Sequence, residues 1–126
     1  MKKTDVNTVE YQARYRVIFE KQAFQAMNKG HRRRLYSKID GLFQPPYSPQ
    51  TYKSWFLYPE SVLEYKPERR DYILEAMLES LTSTLSAIVA EMDTLQAEID
   101  LYRPIYTAAL TSYTTSVQVE PSKTAV

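Results

Sequence analysis

The chain has 126 residues, 44% of them hydrophobic, a net charge of +1 and no cysteine. This length predicts one domain with a core rather than two independent domains. The absence of cysteine excludes disulfide frameworks and thiolate metal sites such as zinc fingers. The N-terminus lacks the apolar segment of a signal peptide, and no apolar run approaches the roughly 18 residues of a membrane span. We therefore expect a cytoplasmic protein that makes no membrane contact.

The two halves of the chain differ in charge. Residues 1–70 carry 14 Lys and Arg against 7 Asp and Glu, a net charge of +7. Residues 71–126 carry 2 against 8, a net charge of −6. This asymmetry indicates that the first half meets an anionic partner and that the second half maintains solubility and makes protein contacts. An uneven distribution of surface charge without functional meaning is the alternative.

Two helices separated by a tight turn are predicted in the first half. The segment 15–19 could form a short strand, whereas 20–28 is typical of a helix closed by Gly30 in a left-handed conformation. From about residue 31 to 42, apolar residues recur at spacings of three and four, which predicts a second helix. A helix-turn-helix is therefore possible.

Prolines divide the chain after this second helix. The segment 44–54 contains three prolines and is predicted as an extended or turning loop. Pro59 is predicted to start a short helix and Pro67 the long one, because the first helical turn does not need the missing proline N–H. Eight tyrosines precede residue 73. Their spacing favours the core of a small domain over a surface that stacks on bases.

The strongest pattern is a heptad repeat in the C-terminal third. Apolar residues at alternating steps of four and three run from Leu74 to Tyr106. This repeat predicts a coiled-coil helix that pairs with another helix, most simply that of a second copy. Burial of the helix within its own monomer is the alternative, which the small residues flanking the repeat would allow. The predicted dimerisation residues are Leu78, Leu81, Leu85, Ile88, Met92, Leu95 and Ile99.

The predicted domain boundaries follow from these patterns. We expect a basic helical head at 1–66 and the heptad dimerisation helix at 67–113. Pro104 is expected to kink or end this helix and to leave 105–113 as a separate turn or short helix. The first seven or so residues and the tail 114–126 are predicted to be flexible.

The densest basic cluster lies at the start of the second predicted helix. Cations at a helix N-terminus oppose the macrodipole, which indicates a functional reason for their position. Long donors placed there could contact phosphates and guanine edges in the major groove of duplex DNA. A solvated run of surface charge is the alternative. The predicted DNA-binding residues are His31, Arg32, Arg33, Arg34, Lys38 and Lys53, and the patch is extended by Arg69 and Arg70.

A catalytic or metal site is not predicted. The chain has one histidine, no cysteine and none of the motifs of phosphate-cradling loops or metalloprotease helices. The carboxylates of the heptad helix are typical of a solvated acidic face rather than of a paired acid and base. We expect no enzymatic activity, cofactor, metal or small-molecule ligand.

Two segments of the head have the layout of a known DNA-binding fold. Residues 32–43 end in Gly41-Leu42-Phe43, and residues 54–58 lead into a proline-started segment at 59–63. These resemble the recognition helix, the wing and the next helix of the MerR-type winged-helix transcription regulators. The resemblance implies a winged head and an antiparallel coiled-coil homodimer on a two-fold DNA site. It also implies a short form, because the chain ends where the effector domains of that family begin.

The predicted fold class is mostly α, with a small winged-helix-like or helix-turn-helix head followed by a long coiled-coil dimerisation helix. The predicted function is a small homodimeric DNA-binding transcriptional regulator without a ligand-sensing domain, with repression as the expected direction. The alternative is a structural or assembly protein of a virion or multiprotein complex that docks through its heptad helix. Salt-dependent binding of duplex DNA would favour the regulator.

Overall fold

The protein is described by a computed structural model of residues 6–125, with side chains for residues 6–117. Helices account for 84% of it and the described residues contain no strand. The prediction of a mostly α protein with a long C-terminal helix is therefore confirmed. The elements are α1 Val9–Arg14, α2 Arg16–Glu20, α3 Gln22–Ala26, α4 Lys29–Asp40, α5 Pro49–Leu57, a 3₁₀ helix Pro59–Glu64 and α6 Pro67–Ala125.

The chain divides into two compact units between Ile88 and Val89. We call the described part of the first unit, residues 6–88, the head. The head therefore includes the beginning of α6, past the boundary predicted at residue 66. Flexibility was predicted for the first seven or so residues, of which residues 1–5 lie outside the described residues.

Three short helices form the start of the head, where a strand was possible and one helix was predicted. The hydroxyl of Thr8 accepts the backbone N–H of Tyr11 at 3.2 Å and caps α1. Lys21 has a φ of 65°, in the left-handed region, and separates α2 from α3. The possible strand at 15–19 is wrong, since these residues lie mostly in α2. The helix predicted at 20–28 is limited to α3.

Gly30 lies in the first turn of α4 and does not close the preceding helix. The side-chain oxygen of Asn28 accepts the backbone N–H of His31 at 2.8 Å, so Asn28 is the N-cap of α4. The predicted glycine cap is therefore wrong, because a stronger N-cap residue precedes the glycine. The predicted second helix is confirmed with its ends shifted by two residues. Two residues join α3 to α4, which gives the head a helix, a tight turn and a helix in sequence.

The proline segment is mostly helical. Ser48 accepts the backbone N–H of Thr51 at 3.2 Å and caps α5, and Pro49 occupies the first turn, where its missing N–H is not needed. The loop is therefore limited to residues 41–48, and the loop predicted at 44–54 is wrong over its second half. The residues that resemble a wing also lie mainly in α5. No β-hairpin wing is present among the described residues.

Aromatic side chains form much of the core of the head. Phe24 stacks on Phe56 with ring centroids 5.2 Å apart, and Phe43 contacts Trp55 at 5.5 Å. The tyrosines divide between core and surface: the buried ones are Tyr11, Tyr15 and Tyr52, and those exposed by 39–58% are Tyr58, Tyr65 and Tyr72. The beginning of α6 supplies aliphatic residues to the same core, namely Ile73, Leu74, Met77, Leu81 and Ile88.

The long helix α6 continues through Pro104 to Ala125. The prediction that Pro104 ends the helix is wrong, and 105–113 is part of α6 rather than a separate element. A proline in a helix interior removes one backbone hydrogen bond. The hydrogen bonds of the neighbouring turns can stabilise the helix by more than this loss costs. The region predicted as a flexible tail, 114–126, is also helical as far as Ala125. The side chains of 118–126 lie outside the described residues.

One window of 18 residues in α6 has a mean hydropathy of 1.4 and passes, by length and composition, as a possible membrane span. In the structure 44% of this window is buried. A helix that packs one face into a protein core has the same composition. The hydropathy of α6 therefore does not assign it to a membrane.

Polar contacts connect α1 and α2 to the first turns of α6. Tyr11 Oη donates to Asp71 Oδ1 at 2.9 Å. Glu75 Oε2 accepts from Tyr15 Oη at 2.6 Å and from Arg14 Nε at 2.7 Å. The hydrogen bonds from Arg14 hold the pKa of Glu75 below its usual value. Burial and the hydrogen bond to Glu75 raise the pKa of Tyr15 to about 12.

Glu75→Gln is expected to lower the melting temperature by about 1–3 °C at neutral pH and to have little effect at about pH 3. The pKa of Glu75 is lower in the folded than in the unfolded protein. Its ionised form therefore stabilises the fold above the unfolded pKa, and this stabilisation is lost as the pH falls through the folded pKa. Circular dichroism melts of both proteins across this range measure the difference. Glu79→Gln, one turn later and exposed, is the control. A difference that does not change with pH contradicts the prediction.

Candidate functional site

A groove of about 900 Å³ lies between α4 and α5 and brings three cationic side chains together. Lys29 and Arg33 are four residues apart, so they lie on one face of α4. Lys53 reaches the same groove from α5. All three side chains are exposed. We call this the basic groove; its full lining is Met27, Lys29, Arg32, Arg33, Tyr36, Ser37, Asp40, Pro46, Tyr47, Pro49, Tyr52 and Lys53.

Hydrogen bonds hold Tyr47 and Tyr52, which form the aromatic wall of the basic groove, in place. Tyr52 Oη donates to Asp40 Oδ1 at 2.8 Å and accepts the backbone N–H of Tyr47 at 2.9 Å. Burial, followed by the contact with Asp40, raises the pKa of Tyr52 above its usual value. The carboxylate of Asp40 is therefore engaged with a neutral phenol. The wall is organised before any ligand binds.

Arg32 lines the basic groove, but its guanidinium packs against a core side chain. Its guanidinium lies 4.1 Å from the centroid of the Phe24 ring, and Nη2 donates to the carbonyl oxygen of Phe24 at 3.0 Å. Arg32 Nε and the hydroxyl of Tyr36 are both buried and have no hydrogen-bond partner among the described residues. Burial raises the pKa of Tyr36. Arg32 is thus engaged in packing against Phe24. We therefore assign it a structural role in the head rather than a contact with DNA.

The other predicted DNA-binding residues of α4 lie on a different face. Each residue turns the helix by about 100°, so Arg34 points well away from Arg33. Lys38 follows Arg34 by about one turn and shares its face, as does His31. None of these three lines the basic groove. The predicted cluster is therefore divided, and only Arg32, Arg33 and Lys53 of its six residues come together.

The two arginines predicted to extend the patch are engaged within the head. Arg70 is 7% exposed; its Nε donates to Asp71 Oδ1 at 2.9 Å, and its guanidinium lies 5.5 Å from the ring centroid of Tyr11. Arg69 lies over the rings of Phe43, Tyr47 and Tyr72 at 5.3–5.9 Å, and it donates to the hydroxyl of Tyr47. Packing against aromatic rings is the role that the structure gives to these arginines.

The predicted dimerisation residues fall into two groups. Leu81 and Ile88 are buried in the core of the head, and Leu78 and Leu85 pack against it. For this part of the heptad repeat, the alternative of burial within the monomer is correct. Met92, Leu95 and Ile99 are 40–56% exposed and have no partner among the described residues.

The exposed part of the repeat extends beyond its predicted end at Tyr106. Every described side chain from residue 89 to 117 is exposed. Beyond Tyr106, the apolar residues Leu110, Tyr113 and Val117 continue the spacing of three and four on the same helix face. This spacing is visible in the sequence and predicts the longer repeat. We call the whole set the apolar stripe: Met92, Leu95, Ile99, Tyr102, Tyr106, Leu110, Tyr113 and Val117.

The described residues contain no group of three or more His, Cys, Asp or Glu side chains placed to hold a metal ion. Comparisons with family models, with curated proteins and with solved structures give no match to this chain. The functional assignment therefore rests on the basic groove and the apolar stripe.

Proposed function

We propose that this protein is a small homodimeric DNA-binding transcriptional regulator that works in the cytoplasm. The observation that carries the proposal is the convergence of Lys29, Arg33 and Lys53 on one groove. Three exposed cations within one groove suit a phosphate backbone, whose contacts supply most of the affinity of DNA-binding proteins. Residues 71–126 have a net charge of −6 and would repel the same ligand.

The apolar stripe supports self-association. Soluble monomers rarely expose one apolar patch larger than about 300–600 Å². The eight side chains of the stripe are 40–68% exposed and follow one another along one helix face. Pairing with a second copy would cover this face and give each dimer two basic grooves, which suits a two-fold DNA site.

A salt series tests the DNA-binding proposal. Random and genomic duplex fragments are titrated with the full chain by gel shift from about 50 to 200 mM salt. Log affinity is expected to fall linearly with log salt concentration, with a slope of about −3 for each bound head, because each of three phosphate contacts contributes about −0.9. No binding at the lowest salt refutes the proposal.

The second candidate is an assembly protein, and the length of the apolar stripe favours it. A coiled-coil segment of this kind can dock into a larger helical bundle of other chains. Indifference to duplex DNA at low salt, together with a protein that stays folded and soluble only in a stoichiometric complex with another chain, would support this candidate over the first.

A further inference from the structure

The apolar stripe has a defined heptad register. With Met92, Ile99 and Tyr106 at position a, Leu95 and Tyr102 occupy position d. All five are 40–61% exposed. Pro104 then falls at position f, on the side of the helix opposite the stripe, where its ring does not enter a helix–helix contact. The orientation of the helix pair inferred from this register rests on the self-association proposed above.

The charges beside the stripe are separated by position. The acids Glu91 and Glu98 occupy position g, and the base Arg103 occupies position e; all three are exposed. In a parallel pair of helices in register, each g residue faces the e residue five positions later in the other chain. Glu98 of each copy then faces Arg103 of the other, which gives two ion pairs per dimer.

The remaining flanking residues fit the same alignment. Five positions after Ile105 at g comes Leu110 at e, so two apolar residues meet across the parallel pair. Five positions after Glu91 comes Gln96, an amide that can donate a hydrogen bond to a carboxylate. Each described g position from 91 to 105 therefore meets a chemically compatible e position.

An antiparallel pair cannot use these charges. In that orientation g faces g and e faces e, so Glu98 never meets Arg103 of the other chain. The acids meet each other or uncharged residues, and the register centred between Leu95 and Ile99 places the two Glu98 carboxylates together. Like charges at facing positions suppress a pairing.

We propose that two copies of this chain pair through residues 89–117 in parallel and in register, with Glu98 of each copy against Arg103 of the other. The occupant of the apolar stripe is thus the same segment of a second copy. This orientation differs from the antiparallel coiled coil that the family resemblance implied. In the parallel orientation, residue 89 of both chains lies at the same end of the paired segment.

Single-cysteine variants of the full chain test the orientation, because the natural chain has no cysteine that could interfere. In a parallel pair in register, identical a positions lie side by side, within the Cα–Cα distance of about 4.4–6.8 Å that a disulfide requires. Met92→Cys and Tyr106→Cys, about 21 Å apart along the helix, should each oxidise to a covalent homodimer in high yield. Ala97→Cys, at the outward position f, is the control and should stay monomeric on a denaturing gel.

The outcomes separate the orientation from the self-association. The mass of the unmodified protein is first measured by sedimentation equilibrium. A dimer in which both variants cross-link supports the parallel pair. A dimer in which at most one variant cross-links alone overturns the orientation and leaves the homodimer intact. Efficient cross-linking in a mixture of Met92→Cys and Tyr102→Cys, whose a and d positions face each other in an antiparallel pair centred on Ala97, then identifies that pair. A monomer at tens of micromolar overturns both.

A charge exchange gives a second measurement. Arg103→Glu is expected to weaken dimerisation about tenfold, because it places carboxylates against each other at both ends of the symmetric contact. Adding Glu98→Arg to the same chain should restore the original affinity. Unchanged affinity in Arg103→Glu, or a double variant no tighter than the single one, overturns the predicted pairing of these two residues.

Discussion

Replacing Leu95 and Ile99 together by aspartate is expected to convert the dimer into a monomer without unfolding the head. Both residues belong to the apolar stripe and lie outside the unit that contains the core. In the dimer, four carboxylates would be placed within an apolar contact, where an unpaired charge costs several kcal/mol. We expect dimerisation to weaken by at least about 10³-fold, or about 4 kcal/mol. Sedimentation equilibrium measures the mass, and a thermal melt followed by Trp55 fluorescence measures the head.

The control for this variant adds the same charge on the outer face. Ala97→Asp with Leu101→Asp places two carboxylates at exposed positions f and c, away from the stripe. This variant should remain dimeric. If it dissociates as fully as the Leu95 and Ile99 variant, net charge rather than the stripe controls association. A Leu95 and Ile99 variant that stays dimeric contradicts the assignment of the stripe.

Ile88→Asp should behave differently, although Ile88 belongs to the same heptad repeat. Ile88 is 6% exposed and lies in the core of the head. An aspartate there would be an unpaired charge in a packed interior, so the head should lose cooperative unfolding or expression. The contrast between positions 88 and 95 marks where the repeat changes from core to surface.

This change from core to surface explains why the heptad repeat predicted the long helix correctly but did not show that its first part packs against the head of the same chain. A repeat of 3.5 residues specifies an apolar face, and Leu81 and Leu95 carry the same signal. Which surface covers that face depends on whether other elements of the chain reach it. The core formed by Phe24, Phe43 and Trp55 reaches Leu81, which no local pattern predicts.

The candidate site was predicted in part for the same reason. The basic start of α4 was predictable because its cations are adjacent in the sequence. Asn28 as an N-cap and Pro49 in the first turn of α5 also follow ordinary helix preferences, but Gly30 was interpreted as a helix end and the prolines of 44–54 as a loop. The meeting of Lys53 with Arg33 depends on the path of the loop 41–48, and the stacking of Arg32 on Phe24 depends on tertiary packing. These long-range contacts could not follow from spacing in the sequence.

Removing the three cations of the basic groove together is expected to abolish most DNA binding while leaving the fold intact. In Lys29→Ala with Arg33→Ala and Lys53→Ala, three exposed side chains are lost, and exposed charges contribute little to stability. Each lost phosphate contact should reduce the salt slope by about 0.9 per head, so affinity near 0.1 M salt should fall by about 10²- to 10³-fold. Gel shifts across the salt series measure both quantities, and a thermal melt checks the fold.

The matched control removes three exposed cations outside the basic groove, Arg16, Lys38 and Lys66. It changes the net charge of the head by the same amount, so a nonspecific electrostatic effect would weaken both variants equally. We expect this control to lose affinity by less than about tenfold and to keep most of its salt slope. If the control loses as much as the groove variant, the groove is not the DNA-binding surface. If the control alone loses binding, the DNA-binding surface includes Arg16, Lys38 or Lys66 rather than the basic groove.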